Sequence, residues 1–508
     1  MYTSNHLAGR LRAASLATPN AIFARRLDAA DVTYDALWQL AAKYAAVLAR
    51  AGVKSGDRVA VQVGKSVEMV ALYLGTILAG GVFLPLNSDY TPSEIEYFVA
   101  DSEPTVFVCA PDTFETLHRV ATQNGARSVL TLGTDGTGTL AEKAQAEETG
   151  FKAVRRGADD LAAILYTSGT TGRSKGAMLS HENLASNAAT LCAHWQFSSD
   201  DILIHALPIF HTHGLFVCTN VTLMAGSSVI FMTSFNPQQV IKFLEQATVL
   251  MGVPTFYTRL LKEPKLSPDT VKHMRLFVSG SAPLLAETHQ LWLEKTGHTI
   301  LERYGMTETN MNTSNPYGGK RKSGTVGLAL PDVDVRVTDS NSGETLAQGE
   351  VGSIEVRGPN VFQGYWRMPE KTREELRPNG FFITGDVGVI DEQGYLTIVG
   401  RSKDMVITGG YNVYPKEIEI LLDEIEGIEE SAVIGLPHPD FGEAVAAVVV
   451  GQQAIRLSEP EILAAIAARI ARYKQPKRLF FIDELPRNTM GKVQKNSLRE
   501  RFKTAFDA

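Results

Sequence analysis

The sequence predicts an α/β protein: a large N-terminal domain of αβα layers with a small barrel-like subdomain, followed by a small α+β C-terminal domain. Three observations predict it. Up to about residue 330, apolar runs that read as strands alternate with amphipathic runs that read as helices, at the spacing of a parallel sheet with helices on its faces. From 330 to 400 the texture changes to short strands punctuated by Gly and Pro, the pattern of an antiparallel or barrel-like subdomain. Beyond that, a piece of about 100 residues suffices for one more small domain. A chain of 508 residues is also too long for one ordinary core.

The elements follow in order. Asn20–Phe23 reads as a strand. Tyr34–Arg50 is a helix: Leu37, Leu40, Ala41, Tyr44, Ala45, Leu48 and Ala49 share one face, and Gly52 ends it. Arg58–Val63 is a strand, Val67–Leu78 a helix, Gly81–Leu86 a strand, Pro92–Val99 a helix and Thr105–Ala110 a strand. Residues 132–157 are polar and Gly/Ala/Glu-rich, which reads as a surface excursion. Leu161–Leu165 is an apolar strand, His181–His194 a helix, Ile202–Leu207 and Thr248–Val253 strands, Pro254–Leu261 a helix and Met274–Ser279 a strand. In the C-terminal piece, Pro415–Asp423 is a helix and Ser431–Leu436 and Ala444–Val450 are strands. Pro460–Ala471 is a helix, with Ser458 and Glu461 at capping-box spacing, and Arg478–Ile482 is a strand.

Composition narrows the function classes. Hydrophobic content of 44% and charged content of 21% suit a soluble globular protein. A net charge of −7 disfavours a broad nucleic-acid-binding face and leaves room for a local basic groove for a nucleotide. Cys109, Cys192 and Cys218 lack metal-ligand spacing and fit a reducing compartment. No apolar run is long enough to span a membrane. Residues 1–27 carry Arg10, Arg12, Arg25 and Arg26 and no acid, as organelle presequences do. A strand begins so early that little chain remains for one, and the expectation is a cytoplasmic protein.

The chemistry concentrates in Tyr166–Gly176, YTSGTTGRSKG, directly after the strand Leu161–Leu165. Glycines let backbone N–H groups turn toward one concavity, and hydroxyls and cations ring it with donors, which suits a phosphate chain. It is not a GxxxxGK[ST] loop, and the bland alternative is a solvated surface loop. A second stretch, Pro208–Leu215, reads PIFHTHGL. A metal reading of its histidines is weak, because no third ligand is suitably spaced. A tight turn and a pocket role for His211 both fit.

Further along stand Tyr304–Glu308 (YGMTE), Thr384–Asp386 (TGD), Gly400–Asp404 (GRSKD), Gly409–Pro415 (GGYNVYP) and Pro486–Lys492 (PRNTMGK). With the glycine-rich loop, these resemble the motifs of the adenylate-forming superfamily, in order and spacing, over essentially the whole chain. Within it, the runs around His211, Arg259 and Arg303 resemble the malonyl-CoA synthetases. The resemblance implies an adenylation domain over 1–400, a hinge over 401–405 centred on Lys403, and a mobile C-terminal domain over 406–508. ATP, Mg²⁺ and CoA are the implied cofactors.

It also assigns residues. Thr167, Ser168, Gly169, Thr170, Thr171 and Lys175 would hold phosphate. Ser281, Ala282, Glu302, Tyr304, Gly305, Met306 and Thr307 would line the nucleotide pocket, with Tyr304 stacked on adenine. Glu308 and Thr167 would meet Mg²⁺, a hard cation suited to carboxylate oxygen. Asp386 and Arg401 would hold the ribose, and Gly409 and Gly410 would let pantetheine approach. Lys492 would bridge the substrate carboxylate and the α-phosphate. It is also an expected target of a lysine acetyltransferase and deacetylase.

Arg259, Arg303, His211, Ser281 and Met306 would contact the acid. Buried arginines demand a counter-charge, because breaking a buried pair costs roughly 3–5 kcal/mol. A second substrate carboxylate supplies it, gripped in bidentate fashion. The alternative is pairing with a protein acid such as Glu302. The expected reaction is ligation of malonate, with methylmalonate tolerated, to CoA through an acyl-adenylate. Rival readings are a monocarboxylate–CoA ligase and a stand-alone adenylation enzyme that loads a carrier protein.

Overall fold

The computed structural model describes all residues except 1–3, 28, 168–173, 409–410, 452–456, 468, 489–490 and 507–508. The chain separates into two compact units. One comprises Met1–Asp334 and Val356–Phe382, the other Val335–Glu355 and Ile383–Ala508.

The first unit holds two sheets. One runs Ser128–Thr131, Val106–Cys109, Arg58–Gln62, Val82–Pro85, Leu161–Thr167, Lys175–Ser180, parallel until the last, antiparallel pair. Its inner strands are buried on both faces, which is why they read as unbroken apolar runs. The other has nine strands, with Leu301–Met306, Leu276–Ser279, Val249–Gly252, Ile202–His205, Ser228–Phe231 and Ile22–Arg26 in parallel order. The helices Tyr34–Arg50 and Val67–Leu78 touch through Gly75, where a Cβ would sit 2.8 Å from the Ala41 carbonyl oxygen.

Two helices of this unit differ from the sequence reading. His6–Arg12 is helical, capped by Asn5 and anchored by buried Leu7, Ala8 and Leu11. The excursion 132–157 contains a helix, Thr139–Gln145, which buries Leu140 and Ala144. Seven residues with two or three apolar anchors are too few to show a helical period.

In the second unit, the strand-rich stretch forms a four-stranded sheet ordered Asp334–Thr338, Gly352–Arg357, Phe382–Ile390, Leu396–Arg401. The C-terminal stretch forms a sheet around the long hairpin Ile428–His438 and Gly442–Gly451, with Arg478–Phe481 parallel to the latter. Val433, Val445 and Val449 face a core shared with Ile418, Leu422 and Ile462. Ile434, Ala446 and Val448 face another shared with Leu485 and Leu498. This alternation is the period of two of a strand covered on both faces.

Candidate active site

The strand Leu301–Met306 positions the first group of side chains. It pairs in parallel with Leu276–Ser279 and antiparallel with Asn310–Ser314, with Arg303 opposite Ser314. The pleat sends neighbours Glu302 and Arg303 to opposite faces. Glu302 lies 3.6 Å from His289 Nδ1 and accepts from the Gly324 N–H at 3.3 Å. Arg303 is buried, and its Nε and Nη2 have no hydrogen-bond partner among the described residues. Pairing of Arg303 with Glu302 is therefore ruled out by geometry. Gly280 makes room for the guanidinium: a Cβ there would lie 2.4 Å from Arg303 Cζ. Burial pulls the Arg303 pKa down to about 10, so the group stays charged at neutral pH. An unpaired buried cation calls for an anion.

Two further elements converge on Arg303. His213 opens a π-helical turn, His213–Thr219, a rare geometry frequent at functional sites. Ser281 sits just past the strand Leu276–Ser279 at φ +71°, a region that costs a non-glycine residue energy. Its hydroxyl lies 3.3 Å from His213 Nδ1, and His213 Nε2 is buried without a partner among the described residues. Burial, then the nearby Arg303, His211 and His205, hold the His213 pKa well below the usual range, so the ring is neutral. His211 Nδ1 accepts from the His213 N–H at 3.4 Å. The structure thus gathers Arg303, Ser281 and His211 around His213, a residue the sequence reading left without a role. Its signal was the His-x-His spacing.

Arg259 differs. It is exposed on the helix Pro254–Leu261, so the argument from a buried guanidinium does not apply to it. An exposed arginine keeps its hydration and needs no counter-charge.

The phosphate-loop end carries paired charges. Ser168, Gly169, Thr170 and Thr171 lie outside the described residues, while Thr167 and Lys175 flank them as cross-strand partners. Thr167 Oγ1 donates to the Lys175 carbonyl oxygen at 3.5 Å. Lys175 Nζ is 3.2 Å from both carboxylate oxygens of Glu375 and 4.1 Å from the centre of the Tyr365 ring. The Tyr365 hydroxyl lies 2.6 Å from Glu375 Oε2 and 3.0 Å from Glu308 Oε1. One hydroxyl proton serves two carboxylates and lies nearer to Glu375. Burial, then the charge of Glu308, raises the Tyr365 pKa and keeps it protonated. Burial pushes the Glu375 carboxyl up, but Tyr365, Lys371 and Lys175 outweigh it and hold the pKa below the usual range. Sequence reasoning missed Tyr365 and Glu375, which lie about 200 residues from Lys175.

Tyr304 is buried, with its hydroxyl 3.9 Å from Met306 Sδ. A bulge follows it, and a Cβ on Gly305 would collide with the Asn310 carbonyl oxygen at 1.9 Å. Ala282, Met306 and Thr307 are half-buried, and Glu308 is buried.

In the second unit, Asp386 is buried and pairs with Arg401 across the sheet at 2.8 Å. Lys403 is exposed. Gly409 and Gly410 lie outside the described residues. The loop before Lys492 is pinned by its backbone: the Asn488 N–H donates to the Lys492 carbonyl oxygen, and the Lys492 N–H to Asn488 Oδ1, each at 2.9 Å. The Lys492 side chain is exposed. Burial works against ionisation of Asp404, but Lys495, Arg499 and Lys492 hold its pKa below the usual range. Among the described residues no helix is long and apolar enough to cross a membrane.

A buried, unpaired arginine on a sheet strand, a glycine-rich loop sequence and a second unit that bears Lys492 point to one enzyme class. The family model for AMP-binding enzymes matches residues 11–366, and the model for their C-terminal domain matches 417–492. The chain belongs to the AMP-binding enzyme family.

Particular relatives narrow this. The chain is 36% identical over 481 residues to malonate–CoA ligase of Arabidopsis thaliana, covering 88% of this chain and 78% of the relative. It is 35% identical over 492 residues to the mitochondrial malonate–CoA ligase ACSF3 of Mus musculus, covering 89% and 83%. Among solved structures, ATP-bound MatB from Rhodopseudomonas palustris matches with 56% identity and a TM-score of 0.97, over 99% of this chain and 100% of that one.

Proposed function

We propose that this enzyme ligates malonate to CoA with ATP, giving malonyl-CoA, AMP and pyrophosphate, and that methylmalonate is an alternative substrate. The observation that carries the reading is Arg303, buried and charged, with two nitrogens lacking an acceptor among the described residues. Malonate offers one carboxylate to react and another to satisfy the guanidinium in bidentate fashion. Arg259 adds a solvent-exposed cation on a segment assigned to the acid.

In the first half-reaction the free carboxylate attacks the α-phosphorus, forming malonyl-AMP and releasing pyrophosphate. Lys175 and the glycine-rich loop neutralise the triphosphate, Tyr304 stacks on adenine, and Asp386 with Arg401 holds the ribose. Glu308 and Thr167 offer hard oxygens to Mg²⁺. Mg²⁺ supplies charge neutralisation when bound.

Lys492 bridges the reacting carboxylate and the α-phosphate. Its exposed side chain on a pinned backbone suits a charge delivered by a mobile domain, with Lys403 in the hinge over 401–405. In the second half-reaction the CoA thiol attacks the acyl carbon and AMP leaves, with Gly409 and Gly410, which carry no side chain, expected on the pantetheine's path. Acetylation of Lys492 would remove the bridging charge.

The test is ATP-dependent thioester formation with malonate, methylmalonate, succinate, acetate, hexanoate and benzoate. Preference for malonate is expected. Preference for a monoacid would keep the adenylation chemistry and make Arg303 structural. Transfer to a carrier protein in place of CoA would reassign the second step.

A further inference from the structure

Lys65 stands between the strand Arg58–Gln62 and the helix Val67–Leu78, far in sequence from every motif above. Its ammonium donates to the His205 carbonyl oxygen at 2.8 Å and to the His205 ring Nδ1 at 3.1 Å. It also lies 4.7 Å from the centre of the Phe231 ring. An ammonium only donates, so Nδ1 must be the accepting nitrogen and His205 carries its proton on Nε2. That Nε2 lies 3.0 Å from the Gly214 carbonyl oxygen and 3.3 Å from Thr219 Oγ1. Gly214 is the second residue of the π-helical turn, and a Cβ there would lie 2.1 Å from the Pro208 carbonyl oxygen. A continuous path of hydrogen bonds therefore runs from Lys65 through His205 to the turn that opens at His213, two residues after His211.

The second observation is the absence of acid. Among the described residues Lys65 has no carboxylate partner, and neither does Arg303. Burial, then the charge of Lys65, keeps His205 neutral. Burial pushes the Cys218 thiol up to about 12, so it supplies no anion, and it is within electrostatic reach of both Lys65 and Arg303. His205, His213 and Cys218, the groups within electrostatic reach of these cations, are uncharged.

We propose that Lys65 is a positioning and specificity residue of the acyl pocket. Through His205 it fixes the turn that opens at His213, to whose N–H His211 is bonded, and its charge adds to that of Arg303 in favouring an acid with a second carboxylate. The inference rests on the malonate reading above. It extends that reading to a residue outside every recognised motif.

The test uses the full chain with Lys65→Met, Lys65→Gln and Lys65→Arg, and measures KM and kcat for malonate and for acetate, KM for ATP, and Tm. In Lys65→Met the KM for malonate is expected to rise about tenfold with kcat within about threefold, because a uniform binding interaction is lost. The KM for ATP stays unchanged, the preference for malonate over acetate falls in parallel, and Lys65→Arg largely restores both. An unchanged malonate KM in folded Lys65→Met overturns the proposal. So does a loss in Lys65→Arg as large as in Lys65→Met, which would assign the residue to packing. Should Lys65→Met fail to fold, the arginine and glutamine variants decide on the same criterion. A wild-type enzyme that prefers acetate would overturn the malonate reading itself, a result distinct from either of these.

Discussion

The surroundings of Arg303 and those of Lys175 lie in the same compact unit, yet they handle charge in opposite ways. Arg303 packs against Gly280 with no carboxylate partner among the described residues. Lys175 is already matched by Glu375, and Tyr365 joins Glu375 to Glu308. On the proposed reading, the first region would select its anion and the second would exchange its ion pair for a polyphosphate. Selectivity would then belong where the charge is unmet, and turnover where it is exchanged.

The strongest way to break this contrast is Arg303→Met. The kcat/KM for malonate should fall about 100-fold or more, the scale of breaking a buried ion pair, while the KM for ATP stays put. The same variant should melt higher than wild type without ligand, because it removes an uncompensated buried charge. Lower Tm with retained malonate use would show that the guanidinium has a structural partner.

Glu308→Gln should lower kcat by about 100-fold with little change in the KM for malonate, the mark of lost transition-state stabilisation. An equal rise in both KM values would place Glu308 in ground-state binding. Arg259→Ala should cost malonate kcat/KM about tenfold, less than Arg303→Met, because an exposed guanidinium interacts through screened water. A loss as great as that of Arg303→Met would mean the helix Pro254–Leu261 folds its arginine inward when malonate binds.

Glu375→Gln sharpens the other side. It frees Lys175 from its pair, so the KM for ATP should fall a few-fold, about the worth of one half-buried ion pair. A rise would mean that Glu375 orients Lys175 and does not compete for it. The smallest effect concerns pH. Burial pulls Lys65 down to about 7. Its charge is present below that pH and fades above it, so the KM for malonate should climb as pH rises through 7. His205, Cys218 and the Phe231 ring are the groups that face Lys65, and the first two stay uncharged in this range. A flat profile in wild type, or the same climb in Lys65→Arg, would separate the pH effect from Lys65.

Much of the architecture was legible because it rests on local signals. The helix Pro415–Asp423 and the helix Pro254–Leu261 fall where period and proline placed them. The motif residues Tyr304–Glu308 were legible as a set. The pleat that separates Glu302 from Arg303 was implicit in their adjacency on one strand, but reading it required knowing that the strand extends to Met306. Other features depend on distance in sequence. Tyr365 and Glu375 reach Lys175 only through the fold, and Lys65 meets His205 across 140 positions. The π-helical turn His213–Thr219 has no sequence period of its own, because one widened turn looks like any short apolar run. The exposure of Arg259 was hidden for a related reason: a helix of eight residues shows which face is apolar only weakly, and the arginine falls on the other one.

The alternation along Leu301–Met306 has a further consequence for how such a pocket can change. Because Glu302 and Arg303 are neighbours facing opposite ways, the charge on each face is written in the parity of one strand. Insertion or deletion of a single residue just before Leu301 would exchange the faces of the carboxylate and the guanidinium. On the malonate reading, a change of acid through this strand would then come from replacing the side chain at position 303 in place, and sliding the backbone would set a carboxylate against the substrate's own.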